Sequence, residues 1–189
     1  MRSFDPRAVG THECTAWVTY YRRRWLAFLA ASVRLVRAAF GMSWPRTVVG
    51  AWLVLRANQK WAPVPDNDPD AARRLMGLFY RLLRRSEGAA LDPIRAAELE
   101  VEWWRAHREH QRADGGSFDE LVEALCALYA YSYSVEPAAV RHAAELRAEA
   151  MDVSDAWVEA GCDPRAAAIA RERSLLIRSY AALLAAVHR

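Results

Sequence analysis

The stretch DPIRAAELEVEWWRAHREH, residues 92–110, decides the fold. Asp92 stands before Pro93, so a capping carboxylate meets a residue whose missing N–H costs nothing in a first helical turn. At 100° per residue, Glu98, Glu102, Arg105, Glu109 and Arg112 fall on one face as a ladder of opposite charges three and four apart. The opposite face carries Ala96, Glu100, Trp103, His107, His110 and Gln111, with Trp104 at its edge. A helix with one salted face must turn the other inward. This segment therefore predicts a helix that carries a carboxylate, two imidazoles and two indoles toward a core.

The same punctuation recurs outward in both directions. Ser43-Trp-Pro45, Asp68-Pro69, Glu136-Pro137 and Asp163-Pro164 repeat the cap before proline. Ser117-Phe-Asp-Glu120 is a capping box, in which serine and glutamate each take a backbone amide at the helix start. Gly41, Gly88 and Gly161 stand where left-handed helix ends form. These signals predict seven helices, near 12–40, 44–61, 69–87, 93–112, 118–134, 137–160 and 164–188. No segment alternates polar and apolar residues long enough to suggest a strand.

In the first helix, Tyr21, Trp25, Phe28, Ser32, Val36 and Ala39 share one side, while Arg23, Arg34 and Arg37 mark the other. The second, apolar nearly all round from Val48 to Leu55, and the fifth, from Leu121 to Tyr133, are expected to be central. The fold class is all-α, a compact single-domain bundle spanning 1–189. Its length of 189 residues suits one core.

Composition narrows the function classes. Three cysteines, Cys14, Cys126 and Cys162, form no complete disulfide framework and suit a reducing, cytoplasmic setting. Asp5 and Glu13 interrupt the only stretch where a signal peptide would sit. Apolar runs fall short of the ~20 residues that a membrane span needs. Phosphate-binding, zincin, C-x-x-C and nucleophile-elbow motifs are absent. Asp66, Asp68 and Asp70 superficially suggest a calcium loop, but Ala71 and Gly77 stand where glycine and glutamate belong. Cys14, near a helix start, is the best reactive-thiol candidate.

Charge divides the chain. Residues 1–86 carry 15 basic and 5 acidic groups, and residues 87–189 carry 11 basic and 18 acidic. Either the two halves attract each other within one fold, which is the favoured reading, or the first half meets an anionic partner. In the second case Arg23, Arg34, Arg37, Arg74, Arg81 and Arg85 would dock on an acidic protein, an anionic membrane surface or nucleic acid. Eight tryptophans must mostly fill core, although some can line a pocket for a flat ligand. Excess aromatics could also build a homo-oligomer interface.

The candidate site follows from the inward face of 92–110. Glu100 and His107 lie two turns apart, about 10 Å along the axis. A buried carboxylate without a partner costs several kcal/mol or titrates upward. One reading makes Glu100 and His107 an acid/base pair in an aromatic pocket that binds an organic ligand or cofactor. Trp103, Trp104, His110 and Arg147 would then contact the ligand. The competing reading makes the pair structural, with Arg147 as partner of Glu100. No metal site is assigned, since two histidines on one helix lack the companion ligands of a di-iron bundle. For haem, His107 or His110 would be the axial ligand.

Overall fold

The computed structural model describes residues 3–87, 91–112 and 115–188. Among them are eight helices: α1 (Pro6–Tyr21), α2 (Trp25–Phe40), α3 (Trp44–Trp61), α4 (Pro69–Glu87), α5 (Pro93–His110), α6 (Phe118–Tyr133), α7 (Pro137–Glu159) and α8 (Ala167–Val187). No strand occurs among the described residues.

The expected count of seven is corrected to eight, because the long first helix is two. The break falls at Arg22–Arg24, where Arg23 takes a left-handed φ of 54°. Its guanidinium lies against the rings of Tyr20 and Trp25 and donates to the Ala62 carbonyl. Those contacts come from the end of α3 and from rings on both sides of the corner, so they hold arginine in a conformation it seldom adopts alone.

The caps explain most other boundaries. Asp68 accepts from the Ala71 amide and Asp92 from the Ile94 amide. Ser117 and Glu120 form the reciprocal capping box. Gly41 closes α2 with a φ of 59°. Gly88 lies outside the described residues. At Asp163-Pro164 the side chain caps only a turn, through the Arg165 amide, and α8 starts at Ala167.

Each helix packs chiefly on its neighbours in sequence, from α1 on α2 through to α7 on α8, and α8 packs back on α1. The result is a closed ring. Its closing joint is antiparallel: Phe4 meets Tyr180 edge to face, Gly10 meets Ile177, and the Cys14 thiol reaches the Ile169 carbonyl. A Cβ on Gly10 would stand 2.7 Å from the Ile177 nitrogen, so only glycine lets these two backbones approach.

Neither apolar helix is surrounded by others. α3 packs on α2 and α4, and α6 packs on α5 and α7. α3 buries Thr47, Gly50, Ala51, Leu55 and Ala57 but exposes Trp44, Val48, Val49 and Trp52. Its even hydrophobicity therefore reflects two faces with different surroundings. The attraction expected between the charged halves is not realised as ion pairs. Among the described residues, the one pair that joins them is Glu13 with Arg147, which runs opposite to the overall asymmetry.

Candidate functional site

The ring surrounds a cavity of about 260 Å³, and all eight helices line it. That exceeds the ~150 Å³ apolar cavity that admits benzene. Trp17, Phe28, Trp61 and Phe79 bring apolar surface from α1 to α4. Trp104, Tyr133, Met151 and Tyr180 do the same from α5 to α8. Polar groups are few and converge from separate helices, the pattern that orients a small ligand in an apolar site.

Glu100 is the first of these. Its Oε2 accepts from the Tyr80 hydroxyl at 2.7 Å and its Oε1 from the Trp103 indole N–H at 3.1 Å. Burial raises its pKa, opposed by the Tyr80 hydrogen bond and by the more distant charge of Arg147. Burial and the neighbouring Glu100 together push the Tyr80 phenol well above its ordinary range. Tyr80 therefore stays a neutral donor. α4 and α5 position this cluster, since Tyr80 and Glu100 face each other across their packed surfaces.

Arg147 is the second, but not as the partner of Glu100. Its Nη2 meets Glu13 Oε1 at 2.5 Å, and its Nη1 donates to the Tyr129 hydroxyl at 3.3 Å. The guanidinium lies 4.6 Å from the centre of the Trp103 ring, a cation–π distance. Burial works against its charge, yet Glu13 beside it holds the pKa above the usual range. Glu13 Oε2 and Arg147 Nε have no hydrogen-bond partner, so the pair keeps unused polar capacity in the cavity wall.

His107 is the third. Its Nε2 lies 3.0 Å from Asp155 Oδ2. Asp155 Oδ1 also accepts from Gln111 at 2.6 Å and from the Tyr21 hydroxyl at 3.3 Å. If Nε2 carries the proton toward Asp155, Nδ1 is the basic nitrogen, the arrangement by which a carboxylate fixes a histidine tautomer. His110 is placed elsewhere. It does not line the cavity, and its nitrogens approach Asp152 at 2.9 Å and the Gly116 carbonyl at 3.3 Å.

The structure thus brings Glu100, Trp103, Trp104, His107 and Arg147 to one cavity and leaves His110 outside it. Among the described residues, no group of three or more His, Cys, Asp or Glu side chains is placed to hold a metal ion. For haem, the Nε2 atoms of both histidines are already engaged by carboxylates. The sequence reading missed Glu13 and Tyr80. Glu13 had a signal: Val9, Glu13, Ala16 and Trp17 follow helical spacing, so a lone acid stands on an inward apolar stripe. Tyr80 sits on the apolar side of α4 and offered none.

The reactive-thiol reading of Cys14 is overturned. Cys14 is fully buried inside α1, and burial together with Glu172 pushes its thiol up to about 12. No helix among the described residues is long and apolar enough to cross a membrane. Comparison with family models, with curated proteins and with solved structures finds no match to this chain.

Proposed function

We propose that the protein binds a small, mainly apolar organic ligand inside the helical ring, oriented by Glu100 and the side chains around it. One observation carries this: an aromatic cavity lined by every helix holds a carboxylate whose two bonds come only from neutral donors. A core built only for stability gains nothing from that arrangement, because a phenylalanine-sized apolar group at Glu100 would avoid the desolvation cost. The aromatic walls supply affinity, and the polar cluster supplies orientation.

If the ligand is turned over, His107, held by Asp155 at 3.0 Å, is the proton acceptor, and Glu100 is the other polar group that faces the ligand. Three free cysteines suit a reducing, cytoplasmic setting for this reading.

Native mass spectrometry on freshly purified protein tests for a co-purifying ligand. Thermal shift with indole tests the cavity directly. The variant Ser32→Leu fills the cavity from α2, where the Ser32 hydroxyl has no hydrogen bond to lose. The reading expects indole to raise Tm in the native protein and not in Ser32→Leu. It also expects Glu100→Gln to reduce retention of any co-purifying species. An apo mass together with an indole response unchanged by Ser32→Leu would overturn it.

A further inference from the structure

From Cys14 to Pro65 the chain contains no Asp or Glu, while Arg22, Arg23, Arg24, Arg34, Arg37, Arg46, Arg56 and Lys60 all lie within that span. Among the described residues, none of these cations has a carboxylate within ion-pair distance, whereas seven ion pairs join arginines to acids elsewhere. The acid-free span contains α2 and α3, and α3 exposes an apolar stripe. Trp44, Val48 and Trp52 follow one another at steps of four, with exposures of 62%, 51% and 50%. Val49 adjoins them and Arg56 continues the row, so the stripe runs roughly 18 Å along the helix at 1.5 Å per residue. Arginines lie beside both indoles, Arg37 at 5.2 Å from the Trp44 ring and Arg56 at 5.8 Å from the Trp52 ring.

We infer that this outer face of α3, with the basic residues around it, docks the protein on an anionic membrane surface. The chemistry selects that occupant. A helix lying in the interface presents Trp and aliphatic side chains to the acyl boundary and basic groups to the headgroups. Tryptophan is suited to that level because its ring is apolar and its N–H polar. Uncompensated arginines supply the attraction to anionic lipid. Nucleic acid fits less well, since Val48 and Val49 sit in the centre of the face and offer nothing to phosphate. A second copy of the chain laid symmetrically on this stripe would present the same acid-free basic patch from both sides, with no carboxylate of α2 or α3 to meet the arginines. The face is independent of the interior cavity, so neither reading depends on the other.

The test is flotation with phosphatidylcholine vesicles, with and without phosphatidylglycerol, together with tryptophan quenching by brominated lipid. The protein is expected to float with the anionic vesicles, less so as salt rises, and to be quenched by brominated chains. Trp44→Ser combined with Trp52→Ser is expected to abolish both signals with helicity and Tm retained. Arg46→Gln and Arg56→Gln are each expected to weaken binding about fivefold, the effect of one basic residue near an anionic surface. Three results would overturn the proposal: no flotation with anionic vesicles at low salt, binding to duplex DNA but not to vesicles, or concentration-dependent dimerisation that the double variant removes without any vesicle binding. Should the double variant misfold, the single arginine variants, whose side chains are exposed, still decide it.

Discussion

Glu13 on α1 and Arg147 on α7 meet at 2.5 Å inside the ring, both almost fully buried. Their pairing was not foreseen, since Arg147 was matched with Glu100 instead, and together they tie two helices that otherwise touch little. Removing one partner strands the other in a low-dielectric wall. Arg147→Met or Glu13→Gln alone is expected to cost about 3–5 kcal/mol. The double variant should be more stable than either single one. Urea unfolding of the four proteins measures the coupling directly, and additive losses would mean the two groups act separately.

Gly10→Ala tests the closing joint. The added carbon would stand 2.7 and 2.8 Å from backbone atoms of Ile177, which cannot swing aside as a side chain would. A loss of about 1–3 kcal/mol is expected from overpacking. Gly41→Ala provides a contrast, since nothing lies within 4 Å there and only the left-handed φ of 59° is strained.

Glu172 makes stability depend on pH. Its carboxyl is buried on α8, bonded to Ser154 at 2.8 Å, and burial raises its pKa from 4.5 to about 7. Between those values the folded state holds a proton that the unfolded state has lost. Its contribution is thus fully present below pH 4.5 and lost as pH rises through 7. The loss is up to about 3 kcal/mol at 1.36 kcal/mol per unit. Glu172→Gln should flatten this part of the profile and raise Tm above pH 7. Glu100, shifted in the same direction by burial, adds to the same trend.

The thiols should separate under an Ellman-type reagent. Cys162 is partly exposed at a helix end and is expected to react in the native protein. Cys14 and Cys126 are buried with raised pKa values, and should react only on unfolding. Cys162→Ser should remove the native signal.

Much of this architecture was legible in residue order, because caps are local. Asp68, Asp92 and the Ser117–Glu120 box each satisfy amides within three residues, so the spacing alone announces them. The charge ladder on α5 was also legible: Arg105 pairs with Glu102 and Glu109, as three- and four-residue spacing requires. The corner at Arg23 was not, since its support comes from Ala62, 39 positions away. The cavity was half legible. The inward face of α5 does bring Glu100, Trp103, Trp104 and His107 to it, but His110 on the same face stays outside, and Tyr80 and Glu13 reach it through packing that no local pattern encodes. α3 misled for a related reason: periodicity cannot tell an apolar face that meets a protein neighbour from one left open.

Gly10 and Ile177 also mark the order in which the molecule must assemble. Every other principal joint in the ring connects helices adjacent along the chain, so those joints need only short loops to close and can form early. The joint between α1 and α8 gathers the two far ends of the chain and is the natural last step. Until it shuts the cavity lacks the wall that Tyr180 and Leu183 supply. Substitutions at the seam should then change how fast the finished ring comes apart more than how quickly the other helices pair.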